Sequence, residues 1–153
     1  MNLLIVLVGL PRAGKTTWAL EHILPVVSPD AIRQVLLASN TPVVPQAMVD
    51  HMASFQIRSL FMAGHTRVIL DDCNVKREDR DRWHPKAKEP TWEVVFHHVY
   101  TGKDACIERA VVEHIPVIEA MEDEFEPLEA DENIYDANHF NVPKEVLEKL
   151  LGV

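Results

Sequence analysis

Eight residues near the start of the chain, Gly9-Leu10-Pro11-Arg12-Ala13-Gly14-Lys15-Thr16, constrain its fold more than any others. They match the spacing G-x-x-x-x-G-K-[ST]. Before them, Leu3–Val8 is an apolar run of buried-strand length. After them, Thr17–Leu24 reads as a helix. Strand, glycine loop and helix in that order make a Walker A phosphate-binding loop. The glycines let backbone N–H groups turn inward around phosphate oxygens, and the helix N-terminus adds partial positive charge. Gly9, Pro11, Arg12, Ala13, Gly14, Lys15, Thr16 and Thr17 are therefore the expected nucleotide-binding set. In such a loop Lys15 reaches the β- and γ-phosphates and the Thr16 hydroxyl ligates Mg²⁺. The expected ligands are ATP and Mg²⁺.

The rest of the chain fits one domain around this loop. Its 153 residues can bury a real core, and 47% hydrophobic residues is ordinary for a globular domain. The first apolar run is too short to span a membrane, and it lacks the basic start and cleavage site of a signal peptide. Cys73 and Cys106 suit neither a zinc site nor a disulfide framework, so both are expected as buried thiols in a reducing cytoplasm. The net charge of −9 is uneven: Asp104–Asp136 holds 12 acids and one base, Arg109. That segment excludes a broad basic face for nucleic acid. A polyanionic substrate would have to meet a local pocket elsewhere. Nothing in the sequence calls for a membrane or an obligate protein partner.

Strand-like runs alternate with helical patterns, which predicts an α/β domain with a mainly parallel sheet of about five strands. After Leu3–Val8, a short second strand is expected at Pro25–Ser28 and a helix over Asp30–Ala38. Pro45 opens a longer amphipathic helix with Met48, Met52, Phe55 and Leu60 along one stripe. Thr66–Leu70 reads as a buried strand ending in Asp71-Asp72. A charged helix is expected from Lys76 to Lys88 and a strand over Thr91–Tyr100. Helices follow at Lys103–Val112 and Ile115–Phe125, then a short strand near Asn133–Asn141 and a helix over Pro143–Leu150.

Acids at strand ends carry the next signal. A carboxylate ending a buried strand beside a phosphate loop can organise a metal. Asp71 and Asp72 both qualify, but successive strand side chains point to opposite faces, so one of them serves. The alternative is that both cap the turn at Asp72-Cys73-Asn74. Asp30 and Arg33, three residues apart at a helix start, share a face. The carboxylate there can accept a proton from an attacking hydroxyl, and the guanidinium can hold a phosphate. Equally, Asp30 can be a helix cap and Arg33 a solvated side chain.

These strings together resemble a family. Gly9-Leu10-Pro11 with Gly14–Ala19, Ser28-Pro29-Asp30-Ala31-Ile32-Arg33-Gln34, and Val68–Asn74 are similar to the kinase domain of bacteriophage polynucleotide kinase and its P-loop kinase relatives. Phe125-Glu126-Pro127 with Glu129 resembles a segment that follows the lid in these kinases. The resemblance runs from Met1 to about Tyr135. It implies a three-layer α/β/α P-loop domain over 1–153 with a helical lid at roughly 109–118. It implies Asp30 as general base, Arg33 as a substrate or phosphate contact, and Asp72 as the metal-organising acid with Thr16. It also implies transfer of the γ-phosphate to a hydroxyl of a nucleic acid or nucleotide. The acceptor is then the 5′-hydroxyl of DNA or RNA, or a hydroxyl on a modified base in phage DNA. The setting is the cytoplasm, of a bacterial host if the chain is phage-encoded. A small-metabolite kinase of the gluconate or shikimate type is the second expectation, and a nucleotide switch without transfer the third.

The chain departs from the family in its lid. Arg109 matches the first of two lid arginines and is expected to contact the nucleotide. The second position falls in Val111-Val112-Glu113-His114, which has no arginine. Arg12 either supplies that charge or points to solvent. Cys73 stands where the family has threonine. The run Lys76–Trp83 reads as a solvated helix face, or as a shallow basic and aromatic patch for a nucleic-acid strand. Glu119–Glu132 reads as solvated surface, or as an acidic patch that binds a partner. His97 and His98 lack partners at metal-ligand spacing.

Overall fold

The computed structural model describes residues 1–37, 43–86 and 88–135. Four strands form one sheet: β1 Asn2–Val8, β2 Val26–Val27, β3 Arg67–Leu70 and β4 Trp92–His98. Their order is β2-β3-β1-β4, and every pairing is parallel. A parallel bridge between Phe96 and Ile134 extends the sheet beyond β4, where the fifth strand was expected. The remainder of that strand and the helix expected at Pro143–Leu150 lie outside the described residues.

The described residues also form six α-helices: α1 Lys15–Leu20, α2 Pro29–Leu36, α3 Gln46–Met62, α4 Arg77–Asp81, α5 Lys103–Arg109 and α6 Ile115–Asp123. Side-chain alternation along the strands sorts the core into two layers. Leu4, Val6, Val8, Val68, Leu70, Val94 and Phe96 face α2 and α3, packing on Ile32, Val49, Ala53, Ile57 and Phe61. Ile5, Leu7, Ile69 and Val95 face the other way, onto Ala19 and Trp18 of α1. This is the three-layer parallel α/β arrangement the sequence predicts. A third, smaller cluster joins Leu10 and Ala13 of the phosphate loop to Cys106 of α5 and Ile118 of α6.

Two expectations about local structure are corrected. Helix α3 buries Val49, Ala53, Ile57 and Phe61, whereas Met48 and Phe55 of the expected stripe are exposed. The helix offers apolar residues on more than one face. The stripe centred on Ala53 and β-branched Val49 and Ile57 lets the backbone lie close against the sheet. The charged helix is also far shorter than Lys76–Lys88, and its run is not a solvated face. Arg80 and Trp83 are buried. Arg80 donates to both Glu132 carboxylate oxygens, at 2.6 and 3.1 Å, and to the carbonyls of Asn74, Val75, Glu126 and Pro127. Arg77 is held by Asp81, Glu129 and Asp131. The acidic stretch is thus partly structural, clamping the segment after α6 to α4, and these arginines are not displayed as a nucleic-acid patch. Burial would raise the Glu132 carboxyl, but the Arg80 guanidinium and the Glu129 amide hold it below its ordinary value.

Asn74 provides a second tie. It adopts a left-handed backbone (φ 48°), which Asn tolerates better than most residues. Its side chain donates to the Leu7 carbonyl at 2.9 Å and accepts from the Trp83 indole at 2.8 Å. It therefore fastens the turn after β3 to the end of β1. Asn74→Ala strands two buried partners and is expected to cost about 2–6 kcal/mol, from ~1–3 kcal/mol per unsatisfied group. A urea midpoint unchanged from wild type would refute this.

Candidate active site

Parallel register brings the chemistry to one edge. Val6 pairs with Leu70, and Leu70 with Val27, so β1, β3 and β2 end side by side. The phosphate loop, Asp71-Asp72 and Asp30 all follow those ends, the usual place for ligands in open α/β sheets. Gly9 sits where an added Cβ would lie 2.6 Å from the Val99 carbonyl oxygen, so the loop leaves β1 against the end of β4 without room for a side chain. Gly14 (φ 102°) caps the N-terminus of α1 in a conformation that favours glycine. Lys15 is buried, and its ammonium arches over the loop to donate to the carbonyls of Gly9 and Leu10 at 3.0 and 2.6 Å.

The two strand-end acids separate onto two faces. Asp71 shares the parity of Ile69, the face covered by α1, and accepts from the Thr16 hydroxyl at 2.7 Å. Asp72 shares the parity of Leu70, the face covered by α2 and α3, and its carboxylate receives the Cys73 amide at 2.8 Å. The sequence reading pairs Thr16 with Asp72; the geometry pairs it with Asp71. The signal available in the sequence was the parity of the strand, read together with the face on which α1 packs. Burial pushes the Asp72 carboxyl up to about 6; the Cys73 amide opposes this, Asp30 adds to it, and Arg33 and Lys15 oppose it. Burial likewise pushes the neighbouring Cys73 thiol up to about 11, so it stays protonated at neutral pH. The expectation that both thiols are buried holds for Cys106, whereas Cys73 is half-buried.

Asp30 is not the cap of its helix. Ser28 takes that role, accepting from the Ala31 amide at 3.1 Å, with Pro29 at the first helical position. The Asp30 carboxylate is exposed and accepts from Arg33, which also donates to the Gln46 amide oxygen at 3.0 Å. Gln46 passes the chain on to Asp50 at 2.8 Å. Asp50 and Asp79 hold Arg82 at 2.8 and 2.5 Å. Arg33, Gln46, Asp72, Asp79 and Arg82 line a cleft of about 220 Å³ that Met121 of α6 borders. Arg82 and Asp79 escaped the sequence reading, because they looked like part of a charged helix face.

The residues expected to form a lid meet the loop from the other side. Arg109, at the end of α5, donates to the Arg12 carbonyl at 3.2 Å. Arg12 is exposed and left-handed (φ 67°). A 3-10 turn, Val112–His114, links α5 to α6 and supplies no second arginine. His97 and His98 are half-buried in ring contacts, His97 with Trp18 and Tyr135, His98 with Phe125 and Tyr100. Burial lowers both imidazoles below their ordinary value. Among the described residues no group of His, Cys, Asp and Glu forms a separate metal cluster. Among them, too, no helix is long and apolar enough to cross a membrane.

The sheet order, the loop and the acids beside it define a P-loop kinase-like domain. The chain belongs to the AAA domain family AAA_33, whose model matches residues 4–113. None of the curated proteins matches the sequence. Among solved structures, the chain is similar to a sugar kinase from Janibacter sp. HTCC2649, at 19% identity and a TM-score of 0.61, over 99% of this chain and 94% of that one. It is also similar to a chain of the Pnkp1/Rnl/Hen1 RNA repair complex, at 16% identity and a TM-score of 0.57, over 82% of this chain but 46% of the larger one. At these identities the likeness is one of fold.

Proposed function

We propose that this protein is an ATP-dependent phosphotransferase that delivers the γ-phosphate to an alcohol. The observation that carries the reading is the split of the two strand-end acids, one toward the phosphate loop and one toward a separate polar cleft. The chain thus has the makings of two adjoining sites, which transfer between two substrates requires. The Thr16 hydroxyl and the Asp71 carboxylate are hard oxygen donors on one spot, and they fit Mg²⁺. Bound there, the ion would neutralise charge on the β- and γ-phosphates. Lys15, now on loop carbonyls, has the reach and charge to follow the transferring phosphoryl group, and Arg109 lies near enough to the loop to assist.

In the transfer, the acceptor oxygen forms a bond to the γ-phosphorus. The bond from that phosphorus to the β–γ bridging oxygen breaks, ADP leaves, and the acceptor proton passes to Asp30. Arg33 orients the Asp30 carboxylate for that role. Asp30→Asn preserves shape and removes only the proton acceptor. It is expected to keep ATP affinity and to lower single-turnover transfer about 10²–10⁴-fold, the usual range for a general base. Transfer at the wild-type rate would reduce Asp30 to an ion-pair partner of Arg33. ATP turnover that no acceptor stimulates would favour a nucleotide switch instead.

Two acceptor readings follow. The Asp30-to-Arg33 pattern and the likeness to the RNA repair chain favour a nucleic-acid or nucleotide hydroxyl. The carboxylate pairing of both cleft arginines favours a small-molecule hydroxyl. In either case ATP and Mg²⁺ fit a cytoplasmic reaction.

A further inference from the structure

The charge of the acceptor cleft is cancelled from within, and this bears on what it takes. Arg33 is paired with Asp30, and Arg82 with both Asp50 and Asp79. Asp72 adds a fourth carboxylate; it and Asp79 line the cleft itself, whereas Asp30 and Asp50 act through the arginines they hold. Two guanidiniums therefore stand against four carboxylates. An acceptor carrying its own phosphate would have to displace Asp30, Asp50 or Asp79 from an arginine and then sit beside the displaced carboxylate. Like charges at such range repel each other, and a partly buried site screens that repulsion less than bulk water does. A hydroxyl meets no such barrier. Each guanidinium carries five N–H donors, and the bonds named above engage two of them on each arginine. Donors and carboxylate acceptors side by side, at near-zero or negative local charge, suit the paired donor and acceptor character of hydroxyls. Size points the same way: about 220 Å³ is below the roughly 300–1,000 Å³ of sites for drug-sized ligands.

Resting on the phosphotransferase reading above, we infer that the acceptor is a small polyhydroxyl molecule, such as a free sugar, polyol or nucleoside, that bears no phosphate or carboxylate. Arg82, set by Asp50 and Asp79, is then a specificity-determining residue, because its pairing withholds the cleft's second cation from anionic acceptors.

The test uses the full chain with Mg²⁺ and γ-labelled ATP. One arm offers neutral sugars, polyols, nucleosides and an amino sugar. The other offers sugar acids, sugar phosphates, nucleoside 3′-monophosphates and 5′-hydroxyl DNA and RNA oligonucleotides. Neutral acceptors are expected to lead anionic ones by at least about 100-fold in kcat/KM. An Asp50→Asn/Asp79→Asn variant frees Arg82 and is expected to narrow that ratio tenfold or more, with ATP affinity unchanged. A merely structural role for these acids would lower all acceptors alike. Oligonucleotides or phosphorylated acceptors used as well as neutral ones would overturn the inference. So would an unchanged ratio in the variant, or ATP binding without transfer to any neutral acceptor. Failure to bind ATP at all would strike the phosphotransferase reading underneath.

Discussion

Replacing Lys15 with alanine is expected to cut phosphoryl transfer by about 10²–10³-fold or more, the cost of removing one preorganised donor from a developing charge. The ammonium lies directly over the loop expected to cradle the phosphates. Its present bonds, to the Gly9 and Leu10 carbonyls, show that its stem is long enough to sweep across the loop. Because those carbonyls belong to a loop also held by the packing of Leu10 and Ala13 against Cys106 and Ile118, the fold should survive the change. The readout separates the two effects. Wild type should gain thermal stability with Mg·ATP, by about 2.7 kcal/mol at a hundredfold excess over Kd. The variant should melt like wild type without nucleotide and lose most of that gain. Near-normal turnover in the variant would mean that this glycine loop does not serve phosphate.

The largest effect on stability is expected at Arg80 and Glu132. Removing one partner of a buried ion pair leaves a charge without compensation and costs about 3–5 kcal/mol. Arg80→Met also abandons four backbone carbonyls, those of Asn74, Val75, Glu126 and Pro127. Glu132→Leu leaves the guanidinium buried without its carboxylate. In a domain of this size each kcal/mol moves Tm by about 2–4 °C, so either variant should melt markedly lower. The double variant should recover part of the loss, since an apolar pair of similar volume carries no desolvation cost. The pH dependence has a definite sign. Glu132 titrates below its unfolded value, so its contribution is complete above the ordinary carboxylate range and fades as pH falls through the lower folded value. Singles that melt within about 2 °C of wild type, the shift of a surface pair worth under 1 kcal/mol, would show that the pair acts as an exposed one.

Much of the fold was legible in the chain because its signals are local. Apolar runs such as Leu3–Val8 have no polar face and read as buried parallel strands. Gly14 of the phosphate loop answers to backbone conformation (φ 102°), which a glycine allows by itself. Ser28-Pro29 opens a helix by capping chemistry that needs no tertiary partner. Other features required distant partners. The apolar stripe of α3 was ambiguous because several faces could be buried, and contact with the sheet chose Ala53 and Ile57 over Met48 and Phe55. Arg80 looks like any arginine in a charged run. What makes it core is Glu132, which the fold brings from 52 positions away.

The sequence by itself determined a phosphate-binding loop between a buried strand and a helix, in a parallel α/β domain, with acids following the strands. Those properties depend on spacing, periodicity and backbone freedom, which are written in neighbouring residues. Only the tertiary structure decided that Asp71 meets Thr16 while Asp72 turns to the opposite face, and that Arg82 lies in the cleft already neutralised. Which acid faces which layer follows from the parity of β3 against the side on which α1 packs, and the state of Arg82 follows from Asp50 on a different helix. Both are set by how elements meet across the sheet, a relation that local residue preferences do not contain.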